Sequence, residues 1–226
     1  MIMKSKLIVI EGVDSSGKAT QSKILYDKLT EMGYNTGSIE FPNYANDSTA
    51  VVKMYLNGDF GKDPDSVSAY AASMFFAVDR FATVFNTSRD MFENSDVVIA
   101  DRYTTSNMVH QASKISDISA KGEFLDWLYD LEYNKLSLPE PDLTIFLDMP
   151  VPFARQLMAQ RANKIDNTMQ KDIHESNEKY LQEAYDNACF VAEKYNWKRI
   201  VCVRDEKVRS IEDISAEILD EVKKIL

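Results

Sequence analysis

The chain has 226 residues, 26 Lys+Arg against 36 Asp+Glu for a formal net charge of −10, and 45% hydrophobic residues. That is a globular balance with length for a sizeable core, and one domain over 1–226 is the simplest organisation. The acidic excess argues against a general nucleic-acid-binding role, which needs broad basic surface; it leaves room for a compact basic pocket.

No apolar run approaches the about 20 residues of a membrane helix, and Met1-Ile-Met-Lys-Ser-Lys6 leads into an apolar strand rather than a signal-type segment. Cys189 and Cys202 lack metal-ligand spacing, and His110 and His174 are too scattered for a histidine metal site. These features point to a cytoplasmic enzyme or binding protein with no membrane partner.

Strand-like and helix-like runs alternate along the chain. Leu7–Ile10 reads as a short buried strand, 18–32 as a helix ending at Gly33, and Thr36–Phe41 as a strand stopped by Pro42. A long helical stretch over 65–93, rich in Ala, Met and Phe, precedes a strand at Asp96–Ala100. The spacing of Phe124, Leu125, Leu128 and Leu131 predicts a helix over 120–136, and Asp142–Leu147 reads as a strand after Pro139 and Pro141. Helices are expected over 151–162, 172–195 and 210–225, with a strand at Arg199–Val203. The polar stretch 160–172 is the candidate mobile segment. This alternation predicts an α/β fold of three layers: a mostly parallel five-stranded sheet with helices on both faces.

The strongest motif is Gly12-Val13-Asp14-Ser15-Ser16-Gly17-Lys18, set between the first strand and the first helix. Small residues let backbone N–H groups wrap a phosphate, Lys18 adds a point charge, and the following helix presents its N-terminal amides. Residues Gly12 to Thr20 are therefore the candidates for binding the phosphates of a mononucleotide. The pattern expects Ser or Thr after the lysine, where a hydroxyl meets Mg²⁺; here Ala19 precedes Thr20. Adjacent helical positions point about 100° apart, so magnesium must be held by other oxygens, with Asp14 and Asp101 as candidates.

Ligands of open α/β sheets bind beyond the carboxyl ends of the strands. Asp101-Arg102-Tyr103 closes the third strand, which places Arg102 to reach a phosphate. Phe76 and Arg80 lie four apart in the helical stretch, so an aromatic plane and a forked cation share a face. Phe76 alone also fits a core position beside Met74 and Phe75, and Arg80 alone fits a salt bridge with Asp79. If 104–112 is helical, Asn107 and Gln111 share a face and can read the polar edge of a base.

With these segments together, the chain resembles the thymidylate kinase family. The likeness rests on Ile10-Glu-Gly-Val-Asp-Ser-Ser-Gly-Lys18, Phe41-Pro42-Asn43-Tyr44, Phe76-Ala-Val-Asp-Arg80, and Asp101-Arg-Tyr-Thr-Thr-Ser-Asn107 with Gln111. The resemblance implies transfer of the ATP γ-phosphoryl group to dTMP with Mg²⁺, and a homodimer formed through helices that include 65–93. It places Asp14 near the dTMP sugar and the metal, and Phe76 on thymine. Arg80 and Arg102 are expected at the base edge and the acceptor phosphate, and Asn107 and Gln111 at thymine. Phe41, Tyr44 and Tyr103 line the site, with Tyr103 as the residue set against a ribose 2′-hydroxyl.

Some family members carry a catalytic arginine inside the phosphate loop; Ser15 and Ser16 occupy those positions here. A lid then supplies it, with Arg161 and Lys164 as candidates, Arg155 as a weaker one, and Asp172 and Glu175 as partners. Asn43 and Tyr44 replace the arginine commonly expected after Phe-Pro.

Two alternatives remain. A nucleoside kinase needs a carboxylate base near a 5′-hydroxyl, which Glu11 can supply. A nucleotide-triggered switch carries Asn-Lys-x-Asp after a strand; Asn163-Lys164-Ile165-Asp166 has the letters but falls in the polar stretch.

Overall fold

A computed structural model describes residues 5–162 and 178–226. Strand β1 (Lys6–Glu11) leads through the phosphate loop into α1 (Lys18–Glu31), followed by β2 (Thr36–Glu40) and α2 (Ala50–Leu56). Helices α3 (Ala69–Ala82) and α4 (Arg89–Asn94) precede β3 (Val97–Asp101), and α5 (Thr104–His110) and α6 (Ile118–Tyr129) precede β4 (Leu143–Asp148). The remainder is α7 (Val151–Ala162), α8 (Glu178–Lys194), β5 (Lys198–Val201), the hairpin β6 (Val203–Arg204) and β7 (Lys207–Val208), and α9 (Ile211–Val222).

Strands β1 to β5 form one parallel sheet in the order β2-β3-β1-β4-β5. Strand side chains alternate between faces, and both faces are covered. Ile8 and Ile10 pack with Leu25, Leu29, Ile214 and Ile218 under α1 and α9. Leu7 and Val9 pack with Val84, Phe92 and Val98 on the opposite side. These continuous apolar strands are what made the sheet visible in the sequence. With β1 central, the carboxyl ends of β1 and β3 lie side by side, and both loops that leave them reach one crevice.

Two expectations need correction. The helical stretch over 65–93 is not one regular helix. Ser68 caps α3 by accepting from the Ala71 N–H at 3.2 Å, and a π turn at Thr83–Thr87, with Ser88 N–H on the Thr83 carbonyl at 2.8 Å, separates α3 from α4. The helix expected over 120–136 is present, α6 running directly into a π stretch at Asp130–Lys135. The last strand ends at Val201; Val203–Arg204 instead pairs antiparallel with Lys207–Val208 around Asp205 and Glu206, whose φ angles of 48° and 57° suit a tight hairpin.

Candidate active site

The phosphate loop is shaped by residues that tolerate close approach. A Cβ on Gly12 would lie 2.6 Å from Ser16 Oγ and 3.1 Å from the Leu147 carbonyl. Gly17, at φ 95°, and Ser15, at φ 61°, adopt left-handed backbone on either side of Ser16. Lys18 folds back so that its Nζ donates to the Gly12 and Val13 carbonyls, both at 2.9 Å. Burial, with Arg102 nearby, lowers its pKa to about 8 against the pull of Asp14, Asp101 and Glu11. Ser16 Oγ is buried inside the loop without a hydrogen-bond partner. A phosphate here would meet a lysine and amides ready to receive it.

Glu11 is fully buried and fully used. Its Oε1 accepts from the Gly12 N–H at 2.9 Å, and its Oε2 accepts from Thr105 Oγ1 at 2.8 Å and Ser106 Oγ at 2.7 Å. It therefore braces the loop against α5, the structural reading of this residue.

Arg102 leaves β3 in left-handed backbone, φ 66°. Its guanidinium bonds Asp14 through Nη2 and approaches His110 Nε2 at 3.1 Å through Nη1, with Glu11 3.8 Å away. Asp101 is mostly buried, which pushes its carboxyl pKa up against the nearby Lys18 and Arg102 charges. No cluster of three or more His, Cys, Asp or Glu suited to a metal occurs among the described residues. Ala19 has no oxygen to offer and Thr20 is exposed. The available donors, Asp14, Asp101 and the Ser16 hydroxyl, fit a magnesium ion that keeps most of its water and phosphate oxygens.

Beyond Arg102 opens a cavity of about 210 Å³. The structure brings to its wall Asp14, Phe41, Tyr44, Phe76, Arg80, Arg102, Tyr103, Asn107 and Gln111, from four separate segments. Phe76 is half-buried and meets Tyr55 edge-on at 6.1 Å. The Phe41-Pro42 peptide is cis, and the loop after it is pinned by buried Asp79, which accepts from the Asn43 N–H at 3.0 Å and Ser48 Oγ at 2.9 Å. Asp79 is thus not the partner of Arg80.

That partner is Glu132, which the sequence reading missed. Glu132 is fully buried on the π stretch after α6 and takes Arg80 through both oxygens, Nε–Oε2 at 2.6 Å and Nη2–Oε1 closer still. It also accepts from Thr104 Oγ1 at 3.1 Å and Asn107 Nδ2 at 3.0 Å. Asn107 Nδ2 donates in addition to the Ser73 carbonyl at 3.1 Å. Its amide nitrogen is therefore turned away from the cavity's needs, and Oδ1 is its remaining polar atom. Gln111 Oε1 is buried without a partner. Tyr103 lines the cavity with its ring against Phe41, at 5.6 Å, and its hydroxyl donates to the Pro139 carbonyl at 3.1 Å.

Lys164, Asp172, Glu175 and the 163–166 segment lie outside the described residues, as does the side chain of Arg161 on the last turn of α7; Arg155 is exposed on α7.

The family model for thymidylate kinase matches residues 10–206. The chain belongs to the thymidylate kinase family. A thymidylate kinase of Mycobacterium tuberculosis is 33% identical over 159 residues, covering 70% of this chain and 72% of that protein. A probable thymidylate kinase of Thermococcus onnurineus is 30% identical over 220 residues, 94% of each chain. A solved thymidylate kinase from Candida albicans superposes with a TM-score of 0.71 over 98% of this chain and 92% of its own, at 21% identity, a likeness of fold. Thymidylate kinase homologues make the chain a phosphotransferase and a nucleotide-binding kinase.

Proposed function

We propose that the chain transfers the γ-phosphoryl group of ATP to the phosphate of dTMP, giving dTDP and ADP. The observation that carries this reading is the Asp14–Arg102 pair, which joins the phosphate loop to the base-sized cavity. Donor phosphates sit on the loop amides and Lys18; the acceptor phosphate sits on Arg102. A phosphate monoester has a second pKa of about 6, so the acceptor arrives largely dianionic and needs no strong base. That fits a site in which Glu11 already accepts three hydrogen bonds and Asp14 is paired with Arg102. Catalysis then rests on in-line positioning and positive charge around the transferred group. Magnesium, when bound, neutralises charge on the donor phosphates, held by Asp14, Asp101 and Ser16.

The base wall has matching chemistry. Phe76 offers an aromatic face. Asn107 Oδ1 and Gln111 Oε1 are acceptors suited to the N3–H of thymine, whereas cytosine presents an acceptor at N3. The N–H groups of Arg80 not taken by Glu132 suit a base carbonyl.

Homodimerisation is part of the proposal. Tyr70, Met74, Val78 and Phe81 are exposed at helical spacing on α3, a contiguous apolar stripe on the face away from the cavity. A cytoplasmic location fits two unpaired cysteines, Cys189 and Cys202. Arg161 and Lys164 are proposed as the lid cations on the sequence alone.

The test is a coupled ADP-release assay with ATP and Mg²⁺ against dTMP, dUMP, dCMP, dGMP, AMP and thymidine. Turnover dependent on dTMP is expected. Signal from thymidine alone would move the reading to a nucleoside kinase, and absence of any acceptor dependence would overturn it.

A further inference from the structure

Arg102 is held at both ends, and the Nη1 end, 3.8 Å from the Glu11 carboxylate, has a neutral ring as its hydrogen-bond partner. Asp14 takes Nη2. At the other end the partner of Nη1 is a ring nitrogen, His110 Nε2, at 3.1 Å. An arginine is a donor only. The contact therefore requires His110 to be neutral, with its proton on Nδ1 and a lone pair on Nε2. The surroundings are consistent with that tautomer. Nδ1 faces Tyr180 Oη at 3.4 Å, and the same hydroxyl lies 3.4 Å from the His110 carbonyl, where it can pass on its own proton as donor. The two rings are stacked, with centroids 6.2 Å apart and planes 18° from parallel. His110 is the last residue of α5 and is nearly buried; Tyr180 is in the first turn of α8.

We propose that His110 is a positioning residue for phosphoryl transfer, its neutral Nε2 acting as the acceptor that fixes the plane of the Arg102 guanidinium. Two acceptors at opposite ends of one guanidinium leave little freedom about its terminal bonds. The remaining N–H groups are then aimed as a unit rather than sampled as a floppy charge. Asp14 and Glu11 already stand beside this guanidinium. A third carboxylate in place of His110 would hold Arg102 as well but would repel a phosphate dianion, whereas a neutral acceptor orients the arginine without adding negative charge. The proposal rests on Arg102 being the acceptor-phosphate clamp.

The first readout needs no turnover. The chain has two histidines, so a His174→Gln variant leaves a single imidazole for long-range ¹H–¹⁵N correlation at neutral pH. The expected spectrum is that of a neutral ring protonated at Nδ1, with the Nε2 resonance shifting when Arg102 is replaced by Ala. An Nε2-protonated ring or an imidazolium would overturn the proposal, whatever the enzyme's substrate.

The second readout is a kinetic cycle. His110→Phe keeps an aromatic ring and removes the acceptor. It should lower kcat/KM for dTMP by about tenfold to a hundredfold, the range for a hydrogen bond to a charged group, with the KM for ATP unchanged. His110→Gln restores an acceptor and should recover activity to within a few-fold of the parent. In an Arg102→Ala background, His110→Phe should add less than about twofold, because the interaction it breaks is already gone. Effects that simply multiply would overturn the proposal and assign His110 a direct contact with the nucleotide. Near-parental turnover in Arg102→Ala would instead overturn the clamp reading beneath it, a failure distinguishable from the first because it does not depend on His110.

Discussion

Two arginines face the same cavity and are built in opposite ways. Arg80, on the back wall, is 2% exposed and locked through two atoms onto Glu132, which is itself fully buried. Arg102, at the mouth, has a side chain 20% exposed and is held at its edges by Asp14 and His110, on strained backbone. The back wall is therefore assembled on folding, and its charge is cancelled before any ligand arrives. At the mouth Arg102 is paired with Asp14 and approached by Glu11 at 3.8 Å, but it stays partly exposed where a dianion must be received. A buried ion pair specifies shape more than it adds stability; a partly exposed arginine with neutral and anionic neighbours is fitted to bind.

The comparison predicts separable losses. The largest is at the mouth: Arg102→Ala should cut turnover with dTMP by about 10²–10³-fold while the melting temperature stays close to the parent's. If the variant instead melts early, the division between wall and mouth fails. At the wall, Glu132→Ala strands the Arg80 guanidinium in the core and should lower unfolding stability by about 3–5 kcal/mol, read by denaturant titration. A Glu132→Ala protein with parental stability but altered base selectivity would make the wall a binding device like the mouth.

The donor side provides a third contrast. Lys18 sits at a pKa of about 8 in the unliganded protein because burial disfavours its charged form. Phosphate binding needs the charged form, so the lysine must take up a proton on binding above that pH. ATP affinity should weaken about tenfold from pH 7 to pH 9, measured by calorimetry. Lys18→Arg, charged throughout, should lose that dependence. The smallest effect is expected at the helix start: Ala19→Ser supplies the missing hydroxyl and should lower the magnesium needed for half-maximal turnover by roughly threefold. No change would show that the ion is held without that position.

What the sequence made legible follows the same division. The phosphate loop is legible because its chemistry lies in seven consecutive residues, Gly12 to Lys18, between a strand and a helix. The sheet is legible because its central strands, β1, β3 and β4, are mostly apolar runs, while the edge strands β2 and β5 are more polar. Cavity residues such as Phe76, Arg80 and Asn107 were found by helical spacing, which reports a shared face. Spacing does not report what lies across from that face. Glu132 was therefore invisible: it comes from another helix, 52 residues beyond Arg80, and a lone glutamate carries no signal of burial. Its presence changes the meaning of both neighbours, since it takes the Arg80 guanidinium and turns the Asn107 amide. The hairpin at Asp205-Glu206 was missed because neither residue is the glycine or asparagine such turns usually show.

The two π turns have a consequence for how this cavity came to its shape. A π turn holds one residue more than the regular helix around it, so each is equivalent to a single inserted residue absorbed without breaking the rod. The first, at Thr83–Thr87, follows the helix that carries Phe76 and Arg80; the second, at Asp130–Lys135, contains Glu132 itself. Removing one residue from the second stretch would change which way the residues within it face. The Glu132 carboxylate would then leave the Arg80 guanidinium although no side chain had been exchanged. The geometry of the back wall is thus written partly in chain length, which a single-residue deletion would read.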